Sequence, residues 1–301
     1  YNYKTLIMAL VITRYISALY SIFLCKEIFF QLPNHCFFRQ AIFDYKNNLE
    51  CGFKLLISSF LGLLILGIIR WAISVYWSIE VFAVVSFSLS MVMFFLSFIN
   101  SVGIALLPFL KKLTDYDAAL LNKCLNYVLY KGLFSLLFFY YPIVLIVNIW
   151  LPKYGASLEY LGILIPILIF ETKYNLLLSN YMKALRLEKK LLKVTFYSII
   201  LCLMGTGIFV FFCDLKMGIV LLVLVLYFKY KLCEVKMAKI YDLPVIKNSF
   251  IELLFLIFFE IIINLKIEIS ALLNISIYLI FFLYKKQEFF NAWRQIQKIL
   301  R

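Results

Sequence analysis

The chain has 301 residues, 65% of them hydrophobic, with a mean hydropathy of +0.97 and a formal net charge of +14. Soluble domains are only about 45–50% apolar, so the charge does not read as a nucleic-acid-binding surface; it reads as the lysines that flank membrane spans on the cytoplasmic side. The apolar runs are unbroken, whereas barrel strands alternate polar and apolar residues over about 10 positions, and the fold class expected is an all-α polytopic membrane protein.

Nine spans are expected, at about 5–24, 53–75, 80–107, 128–151, 158–181, 192–213, 217–232, 246–264 and 269–285, judged against the ~20 apolar residues that cross a bilayer as a helix. The first carries Arg14 near its middle. The second and third form a hairpin broken only at Tyr76–Ile79, with Arg70 inside the second and Pro108 closing the third just before Lys111 and Lys112. Pro142 and Pro166 fall inside the fourth and fifth, where each removes a backbone hydrogen bond and permits a kink. Glu171 and Lys173 lie in the middle of the fifth, and Glu252, Glu260 and Asn264 share one face of the eighth.

The linkers alternate in charge. The segments 25–52, 108–127, 182–191 and 233–245, with the tail 286–301, carry most of the Lys and Arg, including Lys183, Arg186, Lys189, Lys190, Lys236 and Lys239. The intervening linkers are short, with at most one cation each: Lys153, Lys216 and Lys266. The basic side is expected to be cytoplasmic, and with it the C-terminus. Nine spans then place Tyr1 outside, and the chain is expected to lack an N-terminal portion with an odd number of spans. In the tail, Phe289, Phe290, Trp293, Ile296 and Leu300 recur at helical spacing between Arg294, Gln297 and Lys298, as in a helix lying among lipid headgroups. Residues 28–50 mix aromatic and basic residues in a similar way, with Pro33 at a helix boundary.

A charge at mid-bilayer costs about 2.5–3.5 kcal/mol on insertion scales. Arg14, Glu171 and Lys173 therefore read as facing a cavity or an intramembrane ion pair; Arg70 faces a cavity or snorkels outward, and Glu252 and Glu260 face a cavity or reach water from the interface. Residues two apart on a helix do not face each other, so Glu171 and Lys173 are expected to meet partners on other helices. Seven cysteines without a C-x-x-C pair and a single histidine, His35, do not make a zinc set, and no metal or other cofactor is expected. No phosphate loop, nucleophile elbow or loop-borne pair of carboxylates is present, so no catalytic residues are expected and the protein does not read as an enzyme.

The run GFKLLISSFLGLLILGIIRWAISVYWSIEVFAVVSFSLSM and the following SVGIALLPFLKK resemble the start of the second half of polysaccharide-biosynthesis flippases, within the multidrug/oligosaccharidyl-lipid/polysaccharide exporter superfamily. Arg70, Glu80, Pro108, Lys111 and Lys112 match the family pattern; Ile69, Ala83 and Val85 stand where the pattern has an acid, a glycine and a tyrosine. NYMKALRLEKKLLKVTFYS, from Asn180 to Ser198, is similar to a connection between two helices of the same half. The resemblance covers about residues 50–215. It implies the C-terminal part of a two-lobed flippase of 12–14 helices: 1–24 closing the first lobe, 25–52 linking the lobes, 53–232 forming a six-helix second lobe, 246–285 adding two helices, and 286–301 an amphipathic cytoplasmic tail.

The function implied is export of a polyprenyl-diphosphate-linked oligosaccharide across a bacterial inner membrane for surface polysaccharide (lipopolysaccharide or capsule) synthesis. Its partners would be that substrate, membrane lipids, and a polymerase and other assembly proteins, with no nucleic acid. Arg14, Arg70 and Lys173 would line the substrate cavity. A cation-coupled antiporter of the same superfamily is the alternative, with Glu171 or Glu260 as the coupling acid; a membrane-embedded enzyme of polysaccharide assembly is the third reading.

Overall fold

A computed structural model of the protein describes residues 3–24, 38–212, 214–241, 246–283 and 286–300. Every described element is a helix. Among the described residues six helices are long and apolar enough to cross a membrane, and two shorter apolar ones, Leu254–Ile263 and Ile267–Leu283, accompany them. The protein is thus an all-helical membrane protein. Residues 1–50 and 51–301 form two units.

In the first unit, α1 (Tyr3–Leu24) is apolar all round, and its described side chains are exposed. Its hydroxyls stay within the helix: Thr13 Oγ1 donates to the Ala9 carbonyl and Ser21 Oγ to that of Ser17. This satisfies polar groups where lipid offers no partner. Helix α2 begins at Phe38 and runs to Tyr76, 39 residues. Residues 38–52, expected in a linker, are therefore helical and continuous with the second span; the segment 25–37, with Pro33, lies outside the described residues.

Ser78 caps α3 (Ile79–Leu110), its hydroxyl accepting from the Val81 amide at 3.3 Å. Pro108 sits in the last turn, and the helix ends two residues beyond it. The fourth span is not one regular helix: α4 (Asp115–Gly132) passes into a 3₁₀ stretch, Leu133–Phe139, and then α5 (Tyr140–Trp150). Pro142 accounts for part of this, because it cannot donate to the Phe138 carbonyl and its ring crowds that group.

The chain from Ser157 to Ala184 forms the axis of the second unit. It runs as α6 (Ser157–Leu164), a break at Ile165, α7 (Pro166–Thr172), a π-helical stretch Lys173–Ser179 and α8 (Asn180–Ala184). Most side chains along it are buried. Helix α3 runs alongside in the same direction, held by Ser88 Oγ donating to the Ser157 carbonyl at 2.7 Å and Asn180 Nδ2 donating to the Gly103 carbonyl at 2.8 Å. A Cβ on Gly103 would stand 3.2 Å from that Asn180 nitrogen, so the glycine keeps the approach close.

The turn after α8 closes with Arg186 in the left-handed region, φ 52°, and with Leu187 N–H donating to the Met182 carbonyl at 2.8 Å. This is the helix-ending geometry that glycine usually takes. Helix α9 (Glu188–Phe212) then runs parallel to α2. Cys51 donates to Glu188, Ser58 bonds Thr195, and Cys202 donates to the Ile65 carbonyl. Each helix contributes a contact every seven residues, the spacing of coiled-coil packing. Helix α10 (Leu215–Tyr241) folds back on α9, where Gly218 leaves no room for a Cβ beside the Phe209 ring. It continues well past the expected span end at 232 and carries Lys229, Lys231, Lys236 and Lys239 on a helix, not a loop.

The last helices are α11 (Ile246–Ile263), α12 (Ile267–Leu283) and α13 (Lys286–Leu300). Tyr141 hydroxyl bonds both Ser270 and Asn274, fastening α5 to α12. Lys131, buried in α4, donates to the Phe282 carbonyl at 3.2 Å, one of the carbonyls left open at the end of α12. The amphipathic tail α13 lies on α4: Ala292 and Ile296 are buried, and Cys124 donates to Gln295. Phe290 and Trp293 are exposed beside that buried stripe.

Candidate functional site

The axial helix separates two cavities. The first, about 370 Å³, lies along the half that ends at Ala184, between α2, α3, α9 and α10. Its polar wall is Glu171, Asn175, Ser179 and Lys183, with Asn100 from α3 and Lys229 from α10. The first four recur every four residues, so one helical face carries them all. The π-helical stretch Lys173–Ser179 falls within this wall; such widened turns concentrate at functional sites.

Two opposite charges meet in the cavity wall. Lys229 Nζ lies 2.5 Å from Glu171 Oε1, and both side chains are largely buried. Asn175 Nδ2 donates to the other carboxylate oxygen at 3.0 Å. The Lys229 ammonium also stands 4.0 Å from the centre of the Tyr174 ring, a favourable cation–π position. Every lone pair and proton of a buried ion pair must be used if the pair is to offset its desolvation, and this arrangement goes far toward that. With Lys183 on the same wall, the cavity carries two cations and one anion. A smaller polar recess, about 170 Å³, continues from it past Asn100, Asn175, Asn180 and Lys183.

The second cavity, about 670 Å³, lies along the half that begins at Ser157, between the axial helix, α10 and α11. It is mostly apolar. Glu260 lines it, half-buried, with Glu159, Lys216 and Asn264 toward one end. Lys216 pairs with Glu159 at 2.5 Å on the exposed rim. Hydrogen bonding to that carboxylate, then its charge, raises the Lys216 ammonium above the usual lysine value.

The residues singled out from the sequence are spread over these environments. Glu171 lines the first cavity and Glu260 the second. Glu171 and Lys173 do point to other elements. Glu171 meets Lys229, and the Lys173 ammonium, fully buried, lies 5.5 Å from the Tyr230 ring centre on α10. Arg70 is half-buried on α2, and its Nε has no hydrogen-bond partner. Neither Arg70 nor Lys173 is among the residues lining either cavity. Arg14 belongs to the first unit, exposed on α1, and Glu252 lies outside the residues whose side chains are described.

Lys183 was legible only as a basic residue of the 182–191 linker and Lys229 only as one near a span end, and Asn100, Asn175 and Ser179 not at all as site residues. The available signal was the polar face repeating every four residues through an apolar span. Among the described residues no group of three or more His, Cys, Asp or Glu gathers as a metal set. Fold and cavities together define a helical membrane protein with a charged polar cavity among its helices. Compared with known proteins, the chain matches no family model, no curated protein and no solved structure.

Proposed function

We propose that the protein is a flippase that moves a polyprenyl-diphosphate-linked oligosaccharide across a bacterial inner membrane. The observation that carries this reading is the first cavity. It has one polar wall, holds an excess of cation and lies among helices most of which are apolar enough to cross a membrane. Ammonium groups at Lys183 and Lys229 suit a diphosphate, and the Asn and Ser side chains suit sugar hydroxyls. The large apolar exterior suits a polyprenyl chain that stays in lipid while its headgroup crosses. No bond is made or broken in such a step, and no catalytic residue is assigned.

The same reading takes nine spans in two lobes, with the basic linkers and the C-terminus in the cytoplasm. Labelling of single cysteines from outside then misses positions 112 and 189 and reaches position 153; the reverse pattern overturns the orientation. On the same reading, replacing Arg14, Arg70 or Lys173, the cations singled out from the sequence, with Ala reduces export. The deciding experiment removes the protein from its cell and identifies the lipid-linked glycan left on the cytoplasmic face. Restoration by the wild-type chain but not by Lys183→Ala supports the cavity as the substrate route. No accumulated lipid-linked glycan overturns the reading.

A second reading, an ion-coupled antiporter, draws on one observation: Glu171 is in the cavity and paired with Lys229. A coupling acid must exchange its partner. Glu171→Gln then abolishes transport with folding intact, whereas the flippase reading expects a partial loss.

A further inference from the structure

We propose that the second cavity is a binding site for a bilayer phospholipid with a primary ammonium headgroup, of the phosphatidylethanolamine class. This site is separate from the polar cavity and does not rest on the flippase reading. The groove is built from Leu158 and Ile163 of the axial helix, Val223 and Leu224 of α10, and Ile257 and Ile261 of α11. These side chains offer nothing to a sugar and suit an acyl chain. At about 670 Å³ the groove falls in the size range of lipid and small-molecule sites.

The headgroup class follows from charge. Glu260 has no cationic partner among the described residues, although it lines a cavity walled by its own helix, the axial helix and α10, and burying an unpaired carboxylate is costly. In the first cavity the equivalent cost is met from within the chain, by Lys229. Here the structure leaves the carboxylate open to the groove. A ligand bringing one positive charge on an apolar body completes it, and an ethanolamine ammonium adds N–H donors that a choline headgroup lacks. Lys216 stands at the same cavity with one acidic partner, Glu159, and an ammonium has three donors. It can take the lipid phosphate without giving up that pair. An acid and a base over one apolar groove are the complement of a zwitterion with acyl chains.

The test is native mass spectrometry of the full chain released from detergent after exchange into phosphatidylethanolamine, phosphatidylcholine or phosphatidylglycerol of identical acyl composition. The wild-type chain is expected to retain phosphatidylethanolamine about tenfold better than phosphatidylglycerol, the effect of one charge-assisted hydrogen bond, with phosphatidylcholine between them. Glu260→Gln removes the preference. Glu268→Gln, an acid lost from the exposed start of α12 outside the groove, leaves it in place. Val220→Trp fills the groove from a half-open position and reduces retention of all three lipids while keeping Glu260, so a poorly folding Glu260 variant does not stall the test. Equal retention of the three lipids by the wild-type chain, an unchanged preference in Glu260→Gln, or undiminished retention in Val220→Trp overturns the proposal. So does capture of dodecylamine without any retained phosphatidylethanolamine, which assigns the groove to free amines.

Discussion

The two cavities share one wall, the helix from Ser157 to Ala184, yet handle a membrane-embedded acid in opposite ways. Glu171 is closed off by Lys229 and Asn175. Glu260 lines an apolar groove with no cation against it among the described residues. Both acids carry a penalty for leaving water. What differs is the neighbouring helix. Helix α10 presents Lys229, near its middle, to the first cavity, whereas to the second it presents Val220, Val223, Leu224 and Tyr227, with Lys216 only in its first turn and paired to Glu159. A charge in such a bundle is thus either a settled internal contact or an opening for a ligand, and the facing helix decides which.

The sharpest way to break this comparison is to block one cavity. Ser97 is exposed on the wall of the first, and on the proposed flippase reading Ser97→Trp is expected to abolish glycan export while leaving the chain folded, judged by expression and by a single peak in size exclusion. Retained export removes the first cavity from the transport route.

Next in size is the ion pair. Lys229→Ala leaves Glu171 buried and unpaired, a loss of about 3–5 kcal/mol, read as a large drop in the thermal unfolding midpoint in detergent. Replacing both partners with Met recovers most of it, because the desolvation cost leaves with the charges. A loss below about 1 kcal/mol for Lys229→Ala would mean that water in the cavity screens Glu171, and the contrast with Glu260 would shrink.

The opposite sign is expected in the second cavity. In lipid-free detergent Glu260→Gln removes an unpaired carboxylate and leaves stability unchanged or raises it by about 1 kcal/mol; added phosphatidylethanolamine stabilises only the wild-type chain. A clear destabilisation without lipid would show that Glu260 has a partner inside the protein.

The smallest effect is at the rim. Glu159 raises the ammonium of Lys216 above its usual 10.5. A raised lysine contributes its stabilisation fully below the unfolded value and loses it as pH rises through the folded one. The pair is then intact at neutral and mildly alkaline pH. Both groups are exposed, where salt bridges contribute little. Glu159→Gln is expected to leave the thermal midpoint at neutral pH unchanged, and a measurable drop would mean the rim is more enclosed than its exposure indicates.

Much of the fold was open to reading before the structure. Unbroken apolar runs dictate membrane helices because lipid offers no hydrogen-bond partner to the backbone, and Tyr76–Ile79 marks the first hairpin. Glu171 stood out because a charge in a 24-residue apolar stretch is costly wherever it points. The π-helical stretch, the docking of α13 on α4 and the continuation of α10 to Tyr241 were not legible. Each depends on which face a neighbour covers, and hydropathy averages over faces.

The sequence by itself determined that the chain is helical and membrane-embedded, where most helices lie, and which charges are costly to bury. Only the tertiary structure decided the partners. Lys229 is 58 residues from Glu171, and nothing local distinguishes it from Lys231, which instead bonds Glu234 on its own helix. The phase of α10 against the axial helix makes that choice. Desolvation is a property of one side chain and can be read along a chain, whereas its compensation belongs to a pair and exists only once two helices are set side by side.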